Sequence, residues 1–310
     1  MRAVKILAVA STIATFVLVA IGGLVRATKS GLGCGDDWPH CSGRLVPALE
    51  QRAEVIEFSH RLTAGVVVIL LGALAFLAFL HYRSDRRVMR ASVGAFLLVM
   101  FQALLGVVVV KLELEASSVV LHLATAMSLL AVLIYLNGRL FSRGMHPTDR
   151  AVSRRAGVAA GAVLLLLMVG SYVSGTGAGL AFPDWPLMDG RVVPDLSIDA
   201  NATHFLHRAL AAVVGVIVAV VSYGVIRRAD EMPGAARLAR LSLILFALEV
   251  VVGAANVWTE LNAAMVTAHL ALGAGIWTAL VGMAVVTHPG LAAPAPVRVT
   301  GSGVVAEVRS

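Results

Sequence analysis

The chain alternates long apolar stretches with short polar loops. Eight stretches have about 20 mostly apolar residues each, the length that a transmembrane helix needs. They lie at residues 4–25, 58–80, 91–110, 117–137, 156–175, 205–226, 238–257 and 263–287. This pattern predicts an all-α integral membrane protein with eight transmembrane helices.

The first stretch follows Arg2 and Lys5, as the apolar part of a signal peptide would. Its apolar run of about 22 residues is longer than the 7–15 usual for a signal peptide, and it continues into a glycine-rich segment. We therefore interpret it as the first transmembrane helix.

Motifs of the first half recur in the second half at one offset of 147 residues. The recurring pairs are Asp37-Trp38-Pro39 with Asp184-Trp185-Pro186, Gly43–Pro47 with Gly190–Pro194, His60-Arg61 with His207-Arg208, Gly106 with Gly253, and His122 with His269. Four spans return a chain to the side on which it started, so the two copies should be parallel. We predict two tandem four-helix bundles related by a pseudo-twofold axis.

The repeat divides the chain into a unit at 1–147, a unit at 148–288 and a tail at 289–310. The tail is rich in Pro, Ala, Gly and Val, and we expect it to be disordered. The Asp-Trp-Pro and Gly-Arg-x-Val-Pro segments are typical of ordered turns, with the Trp as an anchor at the membrane surface.

Composition and charge support the prediction of an integral membrane protein. Hydrophobic residues make up 59% of the chain and charged residues 14%, which excludes a soluble globular enzyme. The net charge of +7 does not indicate nucleic acid, because 17 of the 25 Lys and Arg residues fall at the chain ends and in the loops after the second, fourth and sixth stretches. The positive-inside rule makes that side of the membrane, with both termini, cytoplasmic.

Four of the nine histidines take part in the repeat: His60 with His122, and His207 with His269. In each unit the two histidines lie on alternate helices at a similar depth near the outer face. Two imidazoles that face each other across a bundle are typical axial ligands of a haem iron. The alternatives are interhelical hydrogen bonding, or a copper or zinc site that would lack further ligands.

Arg61 and Arg208 directly follow two of these histidines. Each guanidinium could bind a haem propionate, or could extend to the lipid headgroups instead. His40, His81, His146 and His288 have no repeat partner, and we interpret them as surface residues.

The repeat also differs between the units. Glu57 precedes His60 by three residues, whereas His204 occupies the aligned position. A carboxylate on the same helix face as a ligand can accept a proton or stabilise positive charge. The alternative is a solvated surface Glu, and a di-iron site would need the E-x-x-H motif twice. Gln102 and Glu249 form another aligned pair, for which the sequence indicates no role.

Cys34 and Cys41 are the two cysteines, and both lie in the first outer loop. The second unit has Ala181 or Phe182 and Met188 in the corresponding places. An oxidising exterior favours a disulfide, either structural or redox-active.

These residues together resemble the haem A synthase family, in particular bacterial members with a cysteine pair in the first outer loop. The segments that carry the resemblance are Gly22–Thr28, Ser30–Cys34, Asp37–Cys41 and Glu57–Arg61. The similarity extends over all eight spans and both histidine pairs. Many relatives have a second cysteine pair in the third outer loop, which this sequence lacks.

The resemblance implies an enzyme that oxidises the position-8 methyl of haem O to a formyl group by successive hydroxylations, giving haem A for terminal oxidases. It implies a haem b cofactor in the C-terminal half, on His207 and His269, with Arg208 at a propionate. The substrate haem would then lie in the N-terminal half with His60, His122 and Arg61, and Glu57 would be catalytic. Haem O synthase and an electron acceptor such as quinone are the expected partners.

Two other functions use some of the same residues. A di-haem cytochrome b that exchanges electrons with quinone needs the four histidines but not Glu57 or the cysteines. A transporter with duplicated bundles would have helices broken near the midplane, whereas the prolines here fall in loops and in the tail.

Overall fold

The computed structural model describes residues 2–35, 40–141 and 148–291. Within these ranges it contains helices and loops but no strand. The α-helices are α1 (Arg2–Ala27), α2 (Arg52–His81), α3 (Arg86–Lys111), α4 (Ala116–Phe141), α5 (Arg150–Thr176), α6 (Asp199–Ile226), α7 (Pro233–Trp258) and α8 (Ala263–Val286). All eight are long and apolar enough to cross a membrane. The prediction of an all-α membrane protein with eight spans is confirmed.

Seven of the eight helices extend further than the apolar stretches that predicted them, whereas α8 ends at Val286, one residue before the end of its predicted stretch. The second helix begins at Arg52 rather than near residue 58, so that Glu54 and Glu57 lie within it. Polar side chains start several of the helices: Asp85 and Asp149 each accept two backbone N–H groups at the beginnings of α3 and α5. Such caps satisfy donors that the first helical turn leaves free, and hydropathy alone does not detect them.

The helices of each half contact one another in a closed cycle. In the first half α1 packs on α2 and α4, and α3 packs on the same two helices. In the second half α5 packs on α6 and α8, and α7 packs on those two. The halves meet where α1 packs on α8 and where α4 packs on α5 and α8. The pseudo-twofold relation between the bundles and the domain limits stay predictions.

Small side chains bring helices close together across these contacts. Ala156, Ala159 and Ala239 are buried in a core formed mainly by α5–α8, whereas larger residues such as Leu71 and Leu133 fill a second core within α1–α4. Small residues at helix contacts are typical of membrane bundles, because they let the backbones approach closely.

The contact between the halves includes two tightly packed glycines. A Cβ atom on Gly23 of α1 would lie 2.9 Å from Cδ2 of Leu270 on α8, and one on Gly175 of α5 would lie 2.6 Å from Cβ of Ala116 on α4. The Arg26 guanidinium donates to the carbonyl of Ser174 at 3.3 Å. The halves therefore share an interface in which larger side chains would not fit.

The two long outer loops have the same local backbone at equivalent positions. Isolated β-bridges join Cys41 to Arg44 and Met188 to Arg191, which are aligned pairs in the repeat. Ser42 and the aligned Asp189 both have a positive φ. The loop backbone therefore repeats even where the side chains differ.

The loops that we expect to face the cytoplasm contain ion pairs. Arg139 contacts Asp85 at 3.5 Å, and Arg228 contacts Asp149 at 2.7 Å. His146, the first Asp-Trp-Pro motif and most of the predicted disordered tail lie outside the described residues.

Candidate functional site

Each of the four repeated histidines lies beside a glycine of the preceding helix. In the first half, a Cβ on Gly22 would lie 3.6 Å from Nε2 of His60, and one on Gly106 would lie 3.3 Å from Cε1 of His122. Neither glycine has a side chain that would fill the space next to the imidazole. His60 on α2 and His122 on α4 thus stand against equivalent glycines of α1 and α3.

The second half has the same arrangement, with a closer contact at the first of its two histidines. A Cβ on Gly170 would lie 2.9 Å from Cε1 of His207, and one on Gly253 would lie 3.2 Å from Cε1 of His269. The ring centres of His207 and His269 are 6.3 Å apart, and the ring planes are inclined by 80°. The structure therefore brings the second predicted pair into direct proximity.

These imidazoles fit a metal-centred group. Metal–imidazole bonds are about 2 Å long, so two imidazoles on one ion have ring centres about 6 Å apart, close to the separation of His207 and His269. Among the residues that the structure describes, Nδ1 of His122 and Nδ1 of His207 are buried and have no hydrogen-bond partner. A buried polar atom without a partner costs about 1–3 kcal/mol, which a bound group that uses the imidazole can offset.

Glu57 lies at the outer end of α2 and is buried. Its Oε2 accepts the backbone N–H of Cys34 at 2.8 Å, and its Oε1 accepts two N–H groups of Arg61 at 2.6 and 3.1 Å. The carboxylate thus links the helix of His60 to the cysteine loop and has a fixed position and orientation.

His204 occupies the corresponding place on α6, with a different environment. Its ring stacks on Phe182, with ring centres 5.4 Å apart and planes inclined by 27°. Its Nε2 accepts the Nε–H of Arg208 at 3.1 Å. Phe182 is therefore the spatial counterpart of Cys34, one of the two alternatives that the sequence left open.

Both arginines that follow the histidines are directed at the outer loops. Arg61 donates to the carbonyl of His40 at 2.9 Å, in addition to its ion pair with Glu57. Arg208 donates to the carbonyls of Asp184 and Leu187 at 2.9 and 3.0 Å. Both guanidiniums hold a loop against the helix that carries the histidine, a role that the sequence did not indicate. Their contact with haem propionates stays a prediction.

Cys34 and Cys41 form a disulfide, and both are fully buried. The predicted cysteine pair is therefore confirmed as a disulfide. Gly33 is required next to it, because a Cβ there would lie 2.5 Å from the backbone of Ala53 at the start of α2. The disulfide thus stands directly against the helix that carries Glu57 and His60.

Glu54 is a second buried carboxylate of this loop, and sequence reasoning missed it. Its Oε1 accepts the Ser42 hydroxyl at 2.9 Å, and its Oε2 accepts the N–H of Ala48, also at 2.9 Å. The signal available in the sequence is a Glu one turn before Glu57, with Asn201 at the aligned position in the second half.

The second outer loop contains a turn around Asp184. The backbone N–H groups of Gly190 and Asp189 donate to its carboxylate at 2.9 and 2.8 Å, and they hold the pKa of Asp184 below its usual range. The neighbouring Trp185 packs edge-on against Trp258, with ring centres 6.0 Å apart. The predicted ordered turn is present in this copy of the motif.

Comparison with known proteins agrees with this geometry. Residues 5–281 match a family described as cytochrome oxidase assembly protein. The haem A synthase of Halalkalibacterium halodurans is 30% identical to this chain over 279 residues, which cover 86% of the chain and 92% of that protein. The chain belongs to the haem A synthase family.

Other relatives in the haem A synthase family are similar over the same extent. The haem A synthase of Listeria monocytogenes serovar 1/2a is 30% identical over 274 residues, covering 86% of this chain and 89% of that protein. The haem A synthase of Alkalihalophilus pseudofirmus is 28% identical over 270 residues, covering 86% and 90%. The resemblance to the haem A synthase family is therefore confirmed, and the matched range of residues 5–281 spans the positions of both histidine pairs.

Proposed function

We propose that this enzyme is a haem A synthase that oxidises the position-8 methyl of haem O to a formyl group by successive hydroxylations. The main support is the set of four histidines, each next to a glycine of the preceding helix, in a member of the haem A synthase family. The two halves have different roles in this proposal, because the residues around their histidines differ.

The second half is the cofactor site. His207 and His269 would hold the iron of haem b, which is supported by the 6.3 Å separation of their ring centres. Haem b supplies one-electron transfer when it is bound. The protein orients the imidazoles through Gly170 and Gly253, and the stacked pair of His204 and Phe182 closes the outer side without a charged carboxylate.

The first half is the substrate site. His60 and His122 hold the iron of haem O, and Glu57 acts on the methyl group that is oxidised. Glu57 can accept a proton or stabilise developing positive charge, because a carboxylate has about four acceptor sites and three are used by Cys34 and Arg61. Its hydrogen bonds with the backbone of Cys34 and with Arg61 fix its orientation, which supports a role that depends on position.

The orientation in the membrane follows from charge. The arginine-rich loops and both termini face the cytoplasm, and the disulfide lies outside in an oxidising environment, in agreement with the positive-inside rule. A haem O synthase that supplies the substrate and an electron acceptor such as quinone are the partners in this proposal.

Extraction of the haems tests the function directly. Cells that contain a source of haem O should produce haem A only when this protein is expressed, and the chromatographic identity of the extracted haems is the measurement. Haem b without haem A, in cells where haem O is present, would reject the synthase and favour a di-haem electron carrier.

A further inference from the structure

Glu249 lies within α7 and contacts one of the proposed cofactor ligands. Its Oε1 is 3.2 Å from Nδ1 of His269 on α8, and its side chain is 14% exposed. Its Oε2 is buried and has no hydrogen-bond partner in the described part of the chain. A buried carboxylate of this kind is costly inside a membrane, and His269 is the group next to it that can compensate.

A glycine makes the space for this carboxylate. Gly273 follows His269 by one helical turn, and a Cβ there would lie 3.1 Å from Oε1 of Glu249 and 2.8 Å from Cδ2 of Leu167. Any larger residue at position 273 would therefore move Glu249 or Leu167. The sequence of α8 is adapted to a carboxylate beside the imidazole.

In the first half the residue aligned with Glu249 makes different contacts. Gln102 donates from Nε2 to the backbone carbonyl of His122 at 2.8 Å, and its Oε1 accepts the hydroxyl of Thr125. Within residues 2–35, 40–141 and 148–291, Nδ1 of His122 has no hydrogen-bond partner. Gln102 is thus bound to the backbone of α4 and not to the imidazole.

Two residues near Gln102 and Glu249 also differ between the halves. The second half has Leu272 where the first has Thr125, so it lacks the hydroxyl that holds Gln102. It has Gly273 where the first has Ala126, so it has room for the carboxylate. Glu249, Leu272 and Gly273 thus all differ from their aligned residues in the first half. All three differences favour a hydrogen-bond acceptor beside His269.

We infer that Glu249 is a positioning residue for His269, accepting its Nδ1 proton and leaving Nε2 free to bind the cofactor iron. The inference rests on the proposed function, in which His269 is a haem b ligand. In the structure Nδ1 of His269 lies 3.2 Å from Oε1 of Glu249, but the N–H is not aligned with the oxygen, so this hydrogen bond requires a reorientation of the imidazole.

The chemical effect of this contact is on the ligand strength of His269. An acceptor on the second ring nitrogen fixes the tautomer of a ligating histidine and raises its basicity. A more basic ligand favours ferric over ferrous iron, so Glu249 lowers the reduction potential of the haem held by His269. The first half lacks this contact, so the two haem sites differ in potential.

The test is a redox titration of the purified holoenzyme with the Glu249→Gln variant. Gln keeps the size of the side chain but is a weaker acceptor than a carboxylate. We expect haem b to remain bound, with a midpoint potential raised by at least 59 mV, which corresponds to a tenfold change in the ratio of ferric to ferrous affinity for a one-electron couple. The low-spin ferric EPR signal should shift in the same sample.

The matched control is Gln102→Met, which removes the aligned amide at similar volume. It should leave the potential and the EPR signal of haem b unchanged. A potential and a spectrum that are unchanged in Glu249→Gln would overturn the inference. If that variant loses haem b during purification, Glu249→Asp should retain it, and loss from both variants would equally overturn the role of the carboxylate.

The His269→Ala variant separates this inference from the proposed function. If haem b keeps its bis-histidine spectrum in His269→Ala, the ligand assignment in the proposed function is wrong. If His269→Ala loses that spectrum while Glu249→Gln has no effect, the ligand assignment stands and the role of Glu249 is wrong.

Discussion

The outer ends of α2 and α6 share a backbone arrangement but differ in chemistry. Both carry an arginine that binds loop carbonyls, and both face a loop with an isolated β-bridge. At α2 the arginine is paired with Glu57 beside a disulfide, whereas at α6 the arginine contacts His204, which stacks on Phe182. Replacement of side chains on a common backbone is therefore enough to place a carboxylate at one site and a stacked aromatic pair at the other.

Removal of a haem b ligand should produce the largest difference between the two halves. Because His207 and His269 are the proposed ligands of haem b, replacing either with Ala should lower the haem retained after purification by at least about tenfold, as expected when about 1.4 kcal/mol or more of binding is lost. The haem content per protein is the measurement. His60→Ala and His122→Ala should keep haem b, and equal loss from all four variants would contradict the division between the halves.

Replacement of Glu57 should stop oxidation and leave haem b in place. The Glu57→His variant gives the first half the histidine that the second half has at the aligned position. Haem O or a hydroxylated intermediate should accumulate in this variant, and haem A formation should be reduced about 10²-fold or more. Chromatography of extracted haems measures this result.

The Glu57→Gln variant is its control for loop structure, because the amide oxygen can still accept the Cys34 N–H. It should keep the disulfide loop ordered but form haem A as slowly as Glu57→His. Haem A formation at the normal rate in both variants would show that Glu57 is not catalytic.

Loss of the disulfide should destabilise the first outer loop. The closed loop of Cys34 and Cys41 is short, with a sequence separation of 7, so the entropic contribution is about 2.5 kcal/mol. The double replacement by Ser should lower the thermal unfolding midpoint and expose the loop to proteases. The double replacement by Phe and Met, the residues of the second half, should recover part of the loss. Equal stability of the wild-type and Ser variants would contradict a structural role.

The glycines beside the histidines allow a finer test. Ala at Gly170 brings a Cβ to 2.9 Å from the ring of His207, whereas Ala at Gly22 makes an ordinary contact of 3.6 Å with His60. Gly170→Ala should therefore cost about 1–3 kcal/mol and shift the optical spectrum of haem b. Gly22→Ala should change neither stability nor spectrum, and a similar shift in both variants would contradict this interpretation of the packing.

The smallest effect should be the acid response of the second outer loop. Backbone N–H groups hold the pKa of Asp184 below its usual range, so its contribution to stability is present above the unfolded pKa of about 3.9 and is lost as pH falls through the lower folded pKa. Tryptophan fluorescence, which reports Trp185 against Trp258, should change in that acidic range. Asp184→Asn should lack the transition, and an identical titration in this variant would contradict the assignment.

The sequence predicts the elements that depend on composition and repetition. Apolar length predicts the helices, and the shared register of His60 with His207 identifies the histidine pairs from the repeat alone. The sequence does not predict which groups accept or donate the side-chain hydrogen bonds. Glu54 and the arginine contacts depend on loop backbone atoms whose positions follow only from the folded chain, and the role of Gly273 depends on a side chain from a neighbouring helix.

The packing of α8 on α1 has a consequence for biogenesis. Helix α1 is synthesised before α8, so it acquires one of its neighbours only after α8 has been inserted, because Gly23 packs against Leu270. Until translation reaches α8, that face of α1 meets lipid or the insertion machinery. A ribosome that stalls before α8 should therefore leave a chain whose first half is in the bilayer but open along one side, and quality-control proteases could recognise it there.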